Sequence, residues 1–396
     1  MRVLLVHNFY QQHGGEDAIV RAEMESLRSR GVEVRLYSRH NDELQEYGLR
    51  DKLLFPLHAL TSPRTERDLP AVLREFQPHV AWLHNLYPLI SPAVYRTLDE
   101  AGIPMVQTLH NYRPFCANGL LMTKGAVCDR CLGGRPWNGV VHKCFRDSYA
   151  LSLVYAVATH KAQTLLDRVQ LFLCPSEFVR RKFLEAGLPE AKLRVRPNSI
   201  DTSDVAPSDR PGQYALSLGR LSPEKGIATL LAAFRDTPEI PLIVAGTGPA
   251  ETSLREYAAA HRMDHVRFVG FQSGDAKWAL LDNAEFLIVS SECLEAFPTT
   301  ILEAFAKARP VLGSRAGGTP QIVKEGRTGL LFEPGSSSEL AAQARFLHAN
   351  PFIRSRMGNA ARRAVERHYD ANVSVRQLIE IFREFAPASI EAAASC

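Results

Sequence analysis

No run of about 18 consecutive apolar residues occurs in the sequence, so no membrane-spanning helix is expected. The opening residues, MRVLLVHNFY, hold one charge and a very short apolar run. They lack the pattern of an export signal and read as a first buried strand. Low-complexity tracts and internal repeats are missing as well, which argues against a fibrous or solenoid protein. A surplus of one charge is nearly missing too: 47 Lys and Arg stand against 43 Asp and Glu, net +4. That mild balance does not point to nucleic acid. It suits a negatively charged substrate or loose contact with anionic lipid. Seven cysteines without an export signal point to a reducing compartment, so a cytoplasmic location is expected, with the inner face of a membrane kept open.

What is present is an ordinary globular composition, 45% hydrophobic and 23% charged, over 396 residues. That length allows two domains, each with a full core. The first half alternates short apolar runs with helical patterns. Strand-like runs lie at 2–7, 32–38, 79–85, 103–110 and 169–176, with helices from about Ala18 to Arg30 and from about Pro92. The second half restarts the theme, with strands at 214–220, 240–248, 265–272, 284–291 and 309–314 and helices at 226–236 and about 251–261. Continuous apolar runs alternating with helices indicate parallel sheets covered on both faces. The Pro-, Ser- and Asp-rich stretch 194–213 marks a boundary. The expectation is an N-terminal domain over 1–195, a C-terminal domain over 196–371, and a last helix, about 372–396, packing back on the first. The apolar helix Tyr149–His160 reads either as a core helix or as a membrane-surface helix. The basic stretches 178–187 and 193–197 read as a solvated face.

In such sheets ligands bind beyond the carboxyl ends of the strands. The stretch EAFPTTILEAFAKARPVLGSRAGG, Glu295–Gly318, follows one of those ends. Pro298 suits the first residue of a helix, because its missing N–H would have no partner there. The amides of Phe297, Thr299 and Thr300, around the turn that Pro298 sets, then favour an anion, helped by the helix dipole. Glu303 inside that helix has a carboxylate that accepts two hydrogen bonds from a diol. Alternatively, Glu295 and Glu303 are a capping acid and a solvated helix acid. In SLGRLSPEKG, Arg220 and Lys225 place two cations on another strand-end loop, which suits a diphosphate. Gly14 and Gly15 lie between the first strand and the first helix, another anion-type turn. His110 ends a strand of the first half.

Taken together, these motifs resemble the retaining GT-B glycosyltransferases of family 4 over essentially the whole chain. The E-x7-E pair Glu295 and Glu303 is the most specific match. GRLSPEKG, VAGTGP, VRFVGF and ARPVLGSRAGGTPQIVKEGRTGLLFEPG add to it. The resemblance implies an α/β GT-B fold, with two Rossmann-like doubly wound domains and an interdomain cleft. It implies transfer of a sugar from a nucleotide-diphosphate sugar, a UDP- or GDP-sugar, to a glycan or lipid-linked acceptor, with no catalytic metal. On that resemblance Glu295 holds the donor sugar and Glu303 the ribose hydroxyls. Arg220 and Lys225 hold the diphosphate, Gly14 and Gly15 approach it, His110 lies close to the donor sugar, and Phe271 with its neighbours contacts the base. The chain departs from the family pattern at Ser199, Ala296 and Gln321, which leaves the sugar open. A GT-B nucleotide-sugar epimerase and a non-catalytic sugar-nucleotide-binding scaffold are the alternatives.

Cys116, Cys128, Cys131 and Cys144 are spaced C-x11-C-x2-C-x12-C inside an insertion, 111–144, that is poor in regular pattern. A C-x-x-C pair with two further thiolates suits a closed, structural zinc site. Buried thiols, a disulfide or an iron–sulfur cluster are the other readings, and His142 is a substitute ligand.

Overall fold

A computed structural model describes residues 1–11, 15–48, 55 and 61–386. The chain groups into two compact units. One comprises Met1–Lys124, Cys128–Pro197 and the chain from Ala371 onward; the other comprises Asn198–Asp370 with Gly125–Val127.

The N-terminal unit holds β1 (Arg2–Phe9), β2 (Glu33–His40), β3 (Val80–Leu83), β4 (Met105–Thr108), β5 (Leu171–Cys174) and β6 (Leu193–Val195). They form one all-parallel sheet in the order β2-β1-β3-β4-β5-β6. The C-terminal unit holds β7 (Tyr214–Leu218), β8 (Leu242–Ala245), β9 (Val266–Gly270), β10 (Ala284–Val289), β11 (Val311–Ser314) and β12 (Gly329–Phe332). Its sheet is also parallel, in the order β9-β8-β7-β10-β11-β12. That second order is the doubly wound arrangement in which direction reverses at the first strand. Strands β3, β5 and β10 are buried along their whole length, as strands covered on both faces must be. Strands β6 and β12 lie outside the expected set; both are short, and β6 is buried at one residue only.

Five helices matter below: α1 (Gly15–Arg28), α2 (Tyr149–Gln163), α3 (Gly274–Asp282), α4 (Thr299–Ala306) and α5 (Ala371–Phe385). Helix α1 carries Glu16 and Asp17 in its first turn and Arg28 in its last, which complements the helix dipole. Helix α5 buries Val375, Leu378, Ile381 and Phe382 in one core with Val3, Leu5, Leu27 and Trp82. Burying each such side chain contributes roughly 2 kcal/mol. Arg194 and Glu384 add a two-pronged ion pair at 2.7 and 2.9 Å. Helix α2 starts on Ser148, whose hydroxyl accepts from the Leu151 N–H. It buries Tyr155, Ala156, Ala158 and Ala162 while Tyr149 and Leu153 stay exposed. Among the described residues no helix is long and apolar enough to cross a membrane.

Candidate functional site

In the C-terminal unit the sheet reverses direction between β7 and β10, which pair directly. The loops leaving these two strands are sewn together. The Ser290 hydroxyl donates to the Lys225 carbonyl at 2.8 Å, and the Glu292 N–H donates to the Glu224 carbonyl at 2.9 Å. A Cβ on Gly226, whose φ is 64°, would fall 2.0 Å from the Ser290 carbonyl oxygen, so only glycine lets the two loops touch. The third loop, after β11, joins in the same way. A Cβ on Gly317 would fall 2.2 Å from the Glu295 carbonyl oxygen, and the Gly318 N–H donates to that oxygen at 2.7 Å.

This frame brings Lys225 and Glu295 into direct contact through Nζ and Oε1. The Ser291 hydroxyl donates to the same Oε1 at 2.5 Å. Burial works against a charged Glu295, but Lys225, the Ser291 hydroxyl and Arg220 overcome it and hold the carboxyl below its ordinary range. Burial likewise opposes a charged Lys225, and Glu295 more than restores it. The pair is therefore ionised at neutral pH. Arg220 stands exposed just past the end of β7.

Glu303 lies in α4, with its side chain 17% exposed. Lys277, from α3, donates to its Oε1 at 2.8 Å. Its Oε2 is buried without a hydrogen-bond partner. A buried acceptor of that kind is costly unless something donates to it. Lys277 is invisible in the sequence because no motif surrounds it; only the packing of α3 brings it to Glu303.

Helix α4 starts at Thr299, one residue later than expected. Pro298 is its N-cap, in extended backbone, and no side chain caps the helix start. Pro298, Thr299 and Thr300 are half-buried. Phe297 packs its ring into the core, edge-on to Tyr369 at 5.7 Å, so only its backbone is open to a ligand. Phe271 is 52% exposed just past β9.

In the N-terminal unit His110 follows β4. Its Nε2 lies 2.9 Å from Nδ1 of His84, which follows β3, and the two rings stack. Burial lowers the pKa of both. His110, His7 and Arg196 deepen the fall at His84, while Glu16 and Glu23 oppose it at His110 without reversing it. Both are neutral at neutral pH, one ring donating and the other accepting. His7 lies edge-on to His84 and bonds Asp17 of α1 at 2.7 Å. His7, Asp17 and His84 were missed in the sequence, where a lone histidine in an apolar strand reads as core. A pocket beside them is lined by Glu16, His84, Tyr87, Gln107, His110 and Arg113. Gly15 is the first residue of α1; Gly14 lies outside the described residues.

The four clustered cysteines also belong to the N-terminal unit. Cys116 and Cys131 are buried, Cys128 and Cys144 half-buried, and all four are free thiols. Cys116 Sγ donates to Asn118 Oδ1 at 3.0 Å, and Asn118 Nδ2 donates to the Cys144 carbonyl at 3.2 Å. Cys144 Sγ reaches Thr123 Oγ1 at 3.5 Å, and Cys131 Sγ reaches the Pro136 carbonyl at 4.0 Å. Burial pushes the Cys131 thiol up to about 12, and Cys116, Cys144 and Cys128 add to the rise. Burial raises Cys116 too, against the backbone N–H groups of Leu121, Asn118, Gly119 and Leu120, which favour its thiolate. Among the described residues no group of three or more His, Cys, Asp and Glu side chains stands arranged to hold a metal ion. The expected zinc ligands are neighbours, with the sulfurs of Cys116, Cys131 and Cys144 bonded to separate oxygens.

Two family models match the chain in tandem. Glycosyltransferase Family 4 covers residues 13–204, and Glycosyl transferases group 1 covers residues 201–364. The chain belongs to the group 1/family 4 glycosyltransferases. It is similar to the sulfoquinovosyl transferase SQD2 of Arabidopsis thaliana, 28% identical over 50% of this chain and 41% of the relative. It is also similar to the phosphatidyl-myo-inositol mannosyltransferase of Mycobacterium leprae, 28% identical over 62% of this chain and 66% of the relative. The chain thus spans less than two thirds of the length of either relative. Among solved structures, Anabaena HepE in complex with UDP-glucose superposes with a TM-score of 0.71 at 19% identity, over 97% of this chain and 100% of that one. That likeness shows the GT-B fold.

Proposed function

We propose that the protein is a retaining glycosyltransferase that moves a sugar from a nucleotide-diphosphate sugar to an acceptor hydroxyl, in the synthesis of a glycan, polysaccharide or glycolipid. The observation that carries this reading is Glu303: one carboxylate oxygen is fixed by Lys277, and the other is buried with no donor. A ribose hydroxyl is the donor that the reading supplies. Arg220 and Lys225 take the diphosphate and stabilise the charge that develops on it as the sugar leaves. The amides of Thr299 and Thr300 add dipolar support, and Phe271 offers a face to the base. Glu295, ionised, orients the donor sugar. His110, neutral, has a ring able to hydrogen-bond a sugar hydroxyl. The acceptor hydroxyl attacks on the face from which the diphosphate departs, and the departing phosphate takes its proton. HepE's complex with UDP-glucose supports a UDP-sugar as the donor to try first.

The test is a thermal-shift panel with UDP, GDP, ADP and TDP, each with EDTA and with magnesium, on wild type and on Glu303→Ala. At 100 times its Kd a nucleotide stabilises by about 2.7 kcal/mol, so one of the four should raise Tm clearly, without magnesium, in wild type only. No shift with any nucleotide would remove the sugar-nucleotide reading and favour a scaffold.

The acceptor side of the reading includes a membrane surface. Leu120, Trp137, Val141, Tyr149 and Leu153 are all exposed, from 37% to 68%. Between Leu120 and Gln163 six basic residues face two acidic ones, a surplus equal to the chain's whole net charge of +4. Lys143 lies 4.7 Å over the Tyr149 ring, and Trp137 lies 5.5 Å from His160 of α2. Exposed apolar and aromatic side chains in a stretch rich in lysine and arginine suit an anionic lipid surface. The protein should float with vesicles containing phosphatidylglycerol and not with pure phosphatidylcholine, and Leu153→Asp should weaken flotation. Equal behaviour with both vesicle types would rule out the charged surface.

A further inference from the structure

The insertion that holds the four cysteines is not absorbed by the proposed reaction. Between β4 and α2 the chain runs from residue 109 to 148 with only two two-residue strands and one four-residue helix. Few backbone ladders hold it, yet it is well packed: Phe115, Ala117 and Leu121 are 5%, 1% and 0% exposed. Five non-glycine residues in it, Leu121, Lys124, Lys143, Arg146 and Asp147, sit at φ near +50°. Such conformations persist only where the surroundings over-determine them.

We propose that Cys116, Cys128, Cys131 and Cys144 close on one structural zinc ion. The backbone already gathers the four. Asn118 ties the Cys116 sulfur to the Cys144 carbonyl. The Gly139 carbonyl accepts from the Cys144 N–H at 2.9 Å, and the Gly139 N–H donates at 2.9 Å to the Pro136 carbonyl, the oxygen that the Cys131 sulfur also reaches. Cys128 opens the C-x-x-C bite, Cys128-Asp129-Arg130-Cys131, and its N–H donates to the Leu121 carbonyl at 2.7 Å.

A tetrahedral site with Zn–S near 2.3 Å needs sulfurs roughly 3.8 Å apart. As they stand, no three of these side chains form a metal-ready set. The missing step is side-chain rotation. Three sulfurs are donors to Asn118, Thr123 and Pro136 only while they carry protons. Zinc takes the thiolates and their protons go to solvent, which frees those sulfurs to turn inward. Asn118, whose Oδ1 accepts from the Leu120 N–H at 3.0 Å as well as from the Cys116 sulfur, is fixed beside that sulfur. Four protein ligands leave no open position, so the ion would be structural and not catalytic.

The test is metal analysis of the full chain, purified under reducing conditions without a metal-affinity tag. About one zinc per chain is expected, retained through dialysis, with a fall in Tm on strong chelation that added zinc restores. Cys131→Ser should lose at least about nine-tenths of the zinc, while Cys174→Ser, outside the cluster, should keep it. If Cys131→Ser does not fold, the wild-type zinc content decides alone. Wild type without zinc overturns the proposal, whether its four thiols react freely, are found paired as disulfides, or show an iron–sulfur absorption band.

Discussion

The two units share a six-stranded parallel sheet but finish their strand ends differently. In the C-terminal unit the loops are short and joined through glycines, and they present an ionised pair, Lys225 and Glu295, together with a half-satisfied Glu303. In the N-terminal unit the corresponding ends carry neutral histidines, His84 buried and His110 half-buried, and a long span, 109–148, separates β4 from α2. One scaffold therefore supports two electrostatic regimes. Charge is kept where opposite charges neutralise each other, and proton-bearing rings are kept neutral where burial dominates.

The sharpest way to break this contrast is to disturb one unit and watch the other. Gly246→Ala places a Cβ 1.8 Å from the Gly219 carbonyl oxygen. It should cost roughly 3 kcal/mol of stability in the C-terminal unit. Urea unfolding followed in single-tryptophan variants checks this: Trp278 should report the loss and Trp82 should not. Equal losses at both probes would mean that the units do not unfold separately.

Acid should separate them from the other side. His84 and His110 have folded pKa values below the ordinary 6.5. The unfolded chain therefore binds more protons below pH 6.5, and the stability they allow is full above that pH and falls as the pH drops. The slope is at most about 1.4 kcal/mol per pH unit for each histidine, reached only between its unfolded and folded pKa values. Glu295 has its pKa lowered from 4.5, so its contribution is full above 4.5 and is lost only as the pH falls further. Thermal melts near pH 5 should show the N-terminal unit melting first, and His84→Gln should narrow the gap. A C-terminal unit that melts first at that pH would invert the comparison.

The smallest effect concerns Lys277→Ala. Removing the partner of Glu303 Oε1 should weaken nucleotide binding about fivefold, close to 1 kcal/mol. Calorimetric titration with the nucleotide found in the thermal-shift panel measures it. Unchanged affinity would show that Lys277 does not orient Glu303.

Much of this was legible before the structure. The run AEFLIVSS is apolar enough to be read as the buried strand β10, and Glu295 and Glu303 announce themselves by spacing and by the helix between them. Lys225 was legible with Arg220, as the second cation of one strand-end loop. What escaped depends on distance in sequence. Lys277 reaches Glu303 from 26 residues away, and His7 meets His84 from the far side of a strand crossover. Strand β6, three residues long and buried at one, carries too little pattern to be told from loop, whereas β12, GLLF, is apolar and buried throughout and was overlooked. The cysteine spacing was legible as a cluster, but the hydrogen bonds through Asn118 and Gly139 that gather it were not.

Helix α5 gives the N-terminal unit an unusual schedule. Its core around Trp82 is completed by Leu378, Ile381 and Phe382, which leave the ribosome after the whole span Asn198–Asp370. Apart from Gly125–Val127, that single segment is the whole C-terminal unit. Domains fold as units when their residues are available. The unit begun earlier is therefore the unit completed later, and until α5 emerges it presents an open apolar face to the cell.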